Sequence, residues 1–467
     1  RRNLLAGKAM SALDLVPGVR RMRPDDHFMV LSETDASPMH VGALILLAVP
    51  EADKAGLTER LRAHFAERLP ATPLQVRLVQ SPEGYDSDVW QDLGPLDMSA
   101  YVIEESDPTP DMAALRAVIA RLNMVRLDLS AAPFKVHVFP HLPGDLAAIY
   151  IKQHHSVADG IGFQEVLRLL SDEAPPVPQR SADAVLPSPE LWRKLAEDRF
   201  VAEEAARTAQ GAARKAALAA LEAFKGQRAE TPVLKMSGPT SARRSYATIS
   251  VPLDPFKAAA KALGATVNDL FLACAAAAVR AYLLKVDDLP ETPLVINSSR
   301  SYRRAEHGPF GNRITALHPH LATHLADPLE RLRAIQASMA AELARAPQDE
   351  ALLDALEKPF GARDRRAMFA ERTAGGGRVL PGNLSLSNVP GPAGSRSFAG
   401  YTQLHNHPVP IIGSGRFLNI TSRRSGPCLD MGVIADAEKI ADANEIAALF
   451  SAAVDDYANL APQGERP

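Results

Sequence analysis

The stretch His154–Gly160 constrains the fold more than any other part of the chain. It reads His-His-Ser-Val-Ala-Asp-Gly, follows the apolar run Leu146–Ile151 and precedes apolar residues at helical spacing. This order predicts a strand that ends at the histidines, followed by a short loop and a helix. Because a strand aims side chains rigidly and a loop exposes them, catalytic groups often lie at such a junction.

The two neighbouring histidines are expected to have different roles. Successive side chains of a strand point to opposite faces of its sheet. His155 therefore shares the face of Ile151, and His154 takes the opposite face. A neutral imidazole is the usual general base near pH 7, so His155 could take a proton from a hydroxyl that attacks an acyl carbonyl. The alternative is a buried histidine pair with a structural role only.

Asp159 and Gly160 fit a tight turn into the helix that follows. A carboxylate at this place caps free N–H groups at the positive end of the helix. Because Asp159 is four residues after His155, we expect it to close the loop rather than to contact the imidazole ring. A helix cap with no part in the chemistry is the alternative interpretation.

Two segments carry a resemblance to known proteins. His154–Gly160 is similar to the HHxxxDG motif of the acyl-CoA-dependent acyltransferase superfamily. That superfamily includes chloramphenicol acetyltransferase-like enzymes, peptide condensation domains and bacterial wax ester synthase/diacylglycerol acyltransferases. Ser387–Pro392, which reads Ser-Asn-Val-Pro-Gly-Pro, resembles a signature of the last family that condensation domains lack. Weaker similarities extend the resemblance in order from about Asp25 to about Phe450.

The resemblance implies an α/β fold of two chloramphenicol acetyltransferase-like domains with the active site at their interface. Strands that alternate with helices in both halves agree with such layers. The Pro-rich segment Ala174–Pro178 predicts a boundary. We therefore expect a first acyltransferase domain over 10–175, a helical crossover linker over 176–240, and a second domain over 241–467 that carries the Asn-Asp and Ser-Asn-Val-Pro-Gly-Pro motifs.

The resemblance also implies a reaction. A fatty acyl group would pass from acyl-CoA to a long-chain alcohol or to diacylglycerol, without a covalent acyl-enzyme. His155 would be the base, His154 would orient the strand end, and Asp159 with Gly160 would shape the loop. No cofactor is expected, because acyl-CoA is a substrate.

A second group of site residues also follows from the resemblance. Asn268 and Asp269 match the family's Asn-Asp pair, which implies that Asn268 hydrogen-bonds near the developing oxyanion and that Asp269 caps or orients. Ser387 and Asn388 are implied to line the substrate site. Thr266 and Asp269 are also spaced as a capping box, which accounts for Asp269 without any catalytic function.

Three positions depart from the family pattern. Tyr101 stands where the family has a histidine, Phe134-Lys135 follows Pro133 where the family has Leu-Trp, and Ser422-Arg423 replaces a Ser-Tyr pair. These departures leave two alternatives open. One is a non-catalytic lipid-binding or droplet-surface protein on the same fold, and the other is an acyltransferase for a glycolipid or polyketide hydroxyl. The intact histidine motif favours an enzyme.

Composition excludes several other classes of protein. The net charge of −3 over 467 residues argues against a nucleic-acid partner, which needs a strongly basic field. Cys274 and Cys428 are the two cysteines, and they form no Cys-x-x-Cys or Cys/His spacing, so no metal site is expected. Few cysteines also fit a reducing cytoplasm.

The chain shows no obvious membrane-spanning segment. Its longest apolar runs, Ala43–Val49 and Leu270–Val279, are far shorter than the roughly 20 residues that a spanning helix needs. The first residues contain arginines but no apolar core of a secretory signal. Met10 is a candidate start, in which case residues 1–9 are not native.

Lipid substrates nevertheless imply contact with a membrane or lipid droplet. We expect a cytoplasmic protein that binds such surfaces peripherally through an apolar entrance and a basic rim. Candidates for the rim are basic residues near the N-terminus and in the predicted helix from Leu191 to about Lys225. They are Arg20, Arg21, Arg23, Arg207, Arg214, Lys215 and Lys225. A solvated crossover helix is the alternative interpretation of that segment.

Overall fold

The fold is given by a computed structural model. It describes residues 16–461 apart from 182, 210, 213–214, 217–218, 220–229, 358–362, 364, 368–369, 371–380 and 414, and it leaves out the side chains of 206–207 and 348–357. Three consecutive glycines, Gly375–Gly377, predict a flexible bend, which lies outside this description. The predicted rim residues Arg214 and Lys225 also lie outside it, as does the side chain of Arg207.

Strands and helices alternate along both halves. The strands are β1 Val19–Arg21, β2 His40–Ala48, β3 Val76–Val79, β4 Val89–Asp92, β5 Val102–Glu104, β6 Phe134–Phe139, β7 Leu146–His154, β8 Arg244–Pro252, β9 Ile296–Ser301, β10 Ile314–Leu317, β11 Leu384–Val389, β12 Ser397–Phe398, β13 Tyr401–Val409, β14 Leu418–Ser425 and β15 Cys428–Asp436. The helices are α1 Pro24–Ser32, α2 Glu51–Lys54, α3 Leu57–Arg68, α4 Met112–Asn123, α5 Gly160–Leu170, α6 Pro189–Ala209, α7 Leu253–Ala262, α8 Val267–Lys285, α9 Pro328–Glu357 and α10 Ala443–Leu460.

The first large sheet holds the histidine motif. Its strand order is β12-β13-β2-β7-β6-β5, and β7 pairs antiparallel with both β2 and β6. The register places His154 opposite His40. The sequence pattern predicts strands over Met39–Val49, Phe134–Phe139 and Leu146–Ile151. These pairings confirm all three, with β7 continuing to the first histidine.

The predicted alternation along β7 is confirmed. Ile149 and Ile151 lie in an apolar cluster with Phe163 of α5, whereas Tyr150 lies in a second cluster on the other face with Ile119 of α4. Burying each such side chain contributes about 1.5–3 kcal/mol. Since both faces are buried, a one-residue slip of β7 would exchange the two histidines, and packing prevents it.

The second large sheet has the order β10-β9-β11-β14-β15-β8 and is covered by α8, α9 and α10. The sequence pattern predicts strands over Ser245–Val251 and Ile314–Leu317, and both are confirmed. It also predicts a strand at Leu294–Ile296, whose bounds are wrong, because Ile296–Ser301 forms β9. Antiparallel pairing with β10 carries this strand through Ser298–Arg300, which the sequence pattern placed after it.

The second half of the chain contributes two strands to the first sheet. β12 and β13 come from the last third of the sequence, yet β13 pairs with β2 at the edge of the first sheet. β13 also packs on β15 of the second sheet so closely that a Cβ on Gly432 would lie 1.7 Å from the carbonyl oxygen of Pro408. Residues 397–409 therefore belong structurally with the first half, and the predicted boundaries at 175/176 and 240/241 stay predictions.

One described helix, α8, is long and apolar enough to cross a membrane by length and composition. Its residues Leu270 to Ala276 are buried in the core of the second half, between α10, α9 and the sheet. This burial is typical of a central helix in a folded domain. Thr266 caps α8, and Asp269 completes the predicted capping box.

Candidate active site

The histidine motif forms the predicted strand, loop and helix. β7 ends at His154, and α5 begins at Gly160. Between them, the backbone N–H of His155 donates to the carbonyl of Met39 at 2.7 Å, and Asp159 is the N-cap of α5. His155 is partly exposed at the end of the sheet, so its imidazole can meet a ligand.

Asn312, from the loop after β9, fixes the imidazole of His155. The amide nitrogen of Asn312 donates to Asp26 Oδ1 at 2.9 Å and to the His155 carbonyl at 2.8 Å. Its amide oxygen, Oδ1, therefore faces His155 Nδ1 at 2.7 Å and accepts a hydrogen bond from the Nδ1–H. This tautomer leaves the lone pair of Nε2 free, and within the described chain Nε2 has no hydrogen-bond partner.

The protonation of His155 also suits a base. Burial lowers the pKa of this imidazole below its ordinary value, and the charge of Asp159 and the Asn312 hydrogen bond oppose the shift only in part. The ring is therefore neutral near pH 7. A neutral ring with a free Nε2 lone pair can accept a proton from a hydroxyl.

Asp159 ties the motif to the second half of the chain. One carboxylate oxygen accepts from the N–H of Gly162 at 2.9 Å, and the other accepts from Arg303 Nη2 at 2.7 Å and from the N–H of Arg313 at 3.0 Å. Its side chain is 1% exposed. No hydrogen bond joins it to the His155 ring among the described residues, as the sequence pattern predicts for a loop-closing carboxylate.

The segment around Gly311 completes this link. Arg303 also donates to the carbonyl of Gly311. The N–H of Gly311 in turn donates to the carbonyl of Val157. Gly311 has φ +73°, and a Cβ there would lie 2.5 Å from a guanidinium nitrogen of Arg23. Glycine is therefore required where the second half touches the motif loop.

His154 occupies the protein interior. Its Nδ1 accepts from the N–H of Ser156 at 3.2 Å, and the Ser156 hydroxyl lies 2.5 Å away. Its Nε2 lies 3.7 Å from a carboxylate oxygen of Glu33. Burial lowers the pKa of His154 to about 3, so the ring stays neutral. The two histidines thus occupy different environments, as their alternation on β7 predicts.

The Ser387–Pro392 motif lies next to the histidine motif in the folded chain. A Cβ on Gly160 would lie 3.4 Å from a methyl carbon of Val389, at the end of β11. Ser387 is partly buried, whereas Asn388 is exposed and accepts from the Ser422 hydroxyl at 3.0 Å. The structure therefore brings Ser387 and Asn388 to the C-terminal end of a strand that borders the motif helix.

Asn268 and Asp269 lie at the N-terminus of α8. Asp269 accepts from the N–H and hydroxyl of Thr266 at 2.9 and 2.8 Å, which is the capping role. Asn268 is partly exposed, and its amide makes no hydrogen bond in the described part of the chain. Because no hydrogen bond joins Asn268 to His155 among the described residues, its oxyanion role stays a prediction.

The site also contains residues that sequence reasoning missed. Asn312, Asp26 and Arg303 have no distinctive spacing relative to the motif, although Gly311-Asn312-Arg313 is a visible cluster before a strand. Together they connect the motif to two other segments, α1 and the connection between β9 and β10. This arrangement holds a neutral imidazole with a free Nε2 at a junction between two sheets, which is what a general base needs.

Comparison with known proteins decides the family. The family model described as the wax ester synthase/diacylglycerol acyltransferase catalytic domain matches residues 22–271. The chain belongs to this family. The family's C-terminal domain model matches residues 310–457, so His155 lies in the catalytic domain and Asn312 in the C-terminal domain. The family identifies the protein as an acyltransferase. It is the family that the sequence motifs resemble, so that expectation is confirmed.

Relatives of similar length support this assignment. A Mycobacterium tuberculosis strain H37Rv protein, provisionally named a diacylglycerol O-acyltransferase, is 29% identical over 427 residues, covering 88% of this chain and 94% of its own. A second protein of the same strain and provisional name is 27% identical over 504 residues, with coverages of 94% and 97%.

Solved structures confirm the predicted fold class. A wax ester synthase/diacylglycerol acyltransferase from Marinobacter aquaeolei VT8 superposes with a TM-score of 0.67 at 22% identity, covering 94% of this chain and 99% of that one. The first condensation domain of the CDA synthetase gives 0.56 at 17% identity, with coverages of 95% and 96%. The fold is therefore the two-domain architecture of the acyltransferase superfamily.

Two of the departures from the family pattern are neighbours in space. Tyr101 stacks on Phe134 with ring centroids 5.0 Å apart, and the ammonium of Lys135 lies 4.7 Å from the centre of the Tyr101 ring. These two departures therefore form a single contact. Arg423 is buried, and its guanidinium lies 5.7 Å from the ring of Phe163 on the motif helix.

Replacing Asn312 with alanine is expected to lower kcat roughly 10–100-fold, because the neutral imidazole would then populate both tautomers. The acid limb of the kcat/KM profile should also move. In the native enzyme burial places this limb below pH 6.5, and loss of a hydrogen bond that raises the His155 pKa shifts it to lower pH. Steady-state kinetics between about pH 4.5 and 8, a range around the ordinary histidine pKa, measure both effects.

Asn419→Ala provides the matched control. Its amide is buried and donates to the Ile411 carbonyl at 2.7 Å, so the change removes a buried amide that does not contact His155. A similar loss of stability is expected, with the acid limb unmoved. A positioning role would be contradicted if Asn312→Ala left the acid limb of the kcat/KM profile unmoved and lowered kcat no more than Asn419→Ala does.

Proposed function

We propose that this acyltransferase moves a fatty acyl group from acyl-CoA to the hydroxyl of a long-chain alcohol or diacylglycerol. The observation that carries the proposal is the His155 imidazole, whose Nδ1–H is held by Asn312 while Nε2 is free. A base held in one tautomer at the edge of a partly exposed site is what hydroxyl activation requires. Family membership supports the acyl donor and a lipid acceptor in general terms.

The proposed reaction needs one imidazole and no covalent intermediate. Nε2 of His155 takes the hydroxyl proton as the acceptor oxygen attacks the thioester carbonyl. The tetrahedral intermediate then collapses, the C–S bond breaks, and the CoA thiolate leaves. The imidazolium returns its proton to the thiolate, which gives an ester and free CoA. Because the same nitrogen takes and returns the proton, the cycle uses no cofactor.

Other residues would hold or assist this base. Asp159 and Arg303 join the motif loop to the segment that carries Asn312, and buried His154 would fix the end of β7. We assign Asn268 to the oxyanion because its amide at the positive end of α8 is free to donate to a ligand. Ser387 and Asn388 would border the substrate beside Gly160.

The test is to incubate the protein with palmitoyl-CoA and a panel of acceptors, and to follow free thiol and ester product together. The panel contains hexadecanol, dioleoylglycerol, a glycolipid and a polyketide hydroxyl. Thiol release that depends on hexadecanol or dioleoylglycerol, with equal amounts of ester, is the expected result.

Each other outcome of that assay has a meaning. Ester formation only with the glycolipid or polyketide would overturn the proposed acceptor and retain the acyltransferase. Thiol release without ester would show hydrolysis, and no release with any acceptor would overturn the proposed reaction. His155→Ala in the same panel separates enzymatic from spontaneous thiol release.

We also propose that the protein is cytoplasmic and reaches its lipid acceptor by peripheral binding to a membrane or droplet. Part of the expected basic rim is already engaged in the fold. Arg20 pairs with Asp92 at 2.6 Å, and Arg21 with Asp86 at 2.5 Å. Lys215, by contrast, is exposed. Because these arginines are already paired, we expect them to contribute less to membrane binding. Apolar contacts would then contribute more of the binding free energy.

Sedimentation with liposomes is expected to show binding that weakens as salt rises, since exposed charges are screened at about 10 Å in 0.1 M salt. Anionic and neutral vesicles are compared at low and high salt, with dioleoylglycerol included in both. Binding that does not depend on lipid charge or salt would contradict the basic rim and indicate that apolar insertion alone holds the protein on the membrane. Absence of binding to every vesicle would contradict a membrane-borne acceptor.

A further inference from the structure

A cluster of metal-binding side chains lies where the two large sheets meet, outside the site described above. His405 belongs to β13 of the first sheet, whereas Cys428 and Asp430 belong to β15 of the second. The imidazole Nδ1, the thiol sulfur and a carboxylate oxygen all lie within 4.8 Å of one another. Spacing along the chain does not reveal this group, because packing of the two strands brings it together.

The geometry fits one small cation. His405 Nδ1 and Asp430 Oδ1 are 3.1 Å apart. Two ligands on a tetrahedral Zn²⁺ with bonds of 2.0–2.1 Å are themselves separated by about 3.3 Å. A metal could therefore replace the proton between these two atoms with small movements. The Cys428 sulfur can complete a third bond by side-chain rotation.

The carboxylate is held in place for such a role. Asp430 is fully buried, with a side-chain exposure of 0%, and its second oxygen accepts from the N–H of Asn406 at 2.7 Å. The hydroxyl of Ser250 lies 2.7 Å from Oδ1 and 3.2 Å from His405 Nδ1, beside the position of the cation. The Asn406 N–H, which holds the second oxygen of the carboxylate, orients this ligand, and such outer contacts raise the affinity of metal sites.

We propose that His405, Cys428 and Asp430 bind a divalent cation of the zinc class, with water from the exposed side as the fourth ligand. Mixed nitrogen, sulfur and oxygen donors in a tetrahedral arrangement favour Zn²⁺ over Mg²⁺ or Ca²⁺, which prefer oxygen. Within the described chain, none of the three residues contacts His155, Asp159 or Asn312. The cation therefore joins the two sheets and stabilises them without taking part in acyl transfer.

Binding is measured by isothermal titration of the full chain with Zn²⁺ after chelator treatment and dialysis. One equivalent per chain is expected, with a rise in Tm of roughly 2–5 °C at saturation, because a ligand that binds only the folded state stabilises it. Co²⁺ in place of Zn²⁺ should give a thiolate-to-metal charge-transfer band. Mg²⁺ should give neither effect.

The variants His405→Ala and Cys428→Ser should lose the titration heat and the Tm shift, and Cys428→Ser should lose the band. His141→Ala, in an exposed turn, and Cys274→Ala, in the core, are the matched controls and should keep all three. Circular dichroism verifies folding of each variant. Zn²⁺ binding that persists in both site variants, or its absence from the native chain, would overturn the proposal.

Discussion

Replacing His155 with alanine is expected to lower turnover by roughly 10²–10⁴-fold, the usual contribution of a positioned general base. The imidazole is the group in the motif that combines a free nitrogen with partial exposure. Asn312 would lose one hydrogen bond and keep those to Asp26 and to the backbone carbonyl of residue 155. The variant should therefore stay folded. Thiol release under saturating palmitoyl-CoA and acceptor measures the loss.

Two further histidine variants serve as comparisons for His155→Ala. His154→Ala removes a fully buried ring and its contact with Ser156, so it should lower both stability and activity. His320→Ala changes an exposed histidine and should alter neither. If His155→Ala lowers turnover by less than about tenfold and keeps the native melting temperature, His155 is not the base.

Replacing Asp159 with asparagine is expected to lower the free energy of unfolding by about 3–5 kcal/mol, because it leaves the charge of Arg303 buried without its partner. The ion pair is 2.7 Å long, with side-chain exposures of 11% and 1%. Asparagine can still cap α5, so the lost cap adds little. Activity should fall roughly 10–100-fold as the segment carrying Asn312 loosens. Urea unfolding and kcat/KM measure the two effects.

The double variant Asp159→Asn/Arg303→Gln tests the cause. Removing both charges should recover part of the stability, since the penalty of one unpaired buried charge disappears. A coupling free energy of about 0.5–3 kcal/mol between the two changes is expected. Native stability with no activity in Asp159→Asn alone would point instead to direct participation of the carboxylate in the chemistry.

The strand, loop and helix of the histidine motif are predictable from sequence because every signal for them is local. Apolar alternation gives β7, and Asp159 with Gly160 gives the start of α5. The same holds for the capping box at Thr266 and Asp269. Each of these features depends on residues within one or two turns of chain, where periodicity and capping rules apply.

The partners of the motif are not predictable in this way. Asn312 is 157 residues from His155, and Asp26 is 286 residues from Asn312. Nothing in local spacing links a lone asparagine to a distant histidine, so their contact follows only from packing of the two halves. The family resemblance pointed instead to Asn268, for which the described structure shows no such contact.

β13 escaped prediction for a different reason. Its sequence, Tyr401–Val409, mixes polar residues and ends in Pro408-Val409, and a proline within a run argues against a central strand. The strand nevertheless lies between β12 and β2, and the Pro408 carbonyl accepts from the Tyr246 hydroxyl at 2.9 Å. Gln403, Asn406 and His407 are buried because they face the second sheet rather than solvent.

The late position of β13 in the sequence affects folding during synthesis on the ribosome. The edge of β2 cannot be covered until β13 has been translated, roughly 250 residues after β7. At about 5–20 residues per second this delay is about 10–50 s. During it, the nascent chain presents an apolar strand with unpaired backbone groups, which is a template for aggregation. Efficient production of this enzyme should therefore depend on chaperones that shield that edge during elongation.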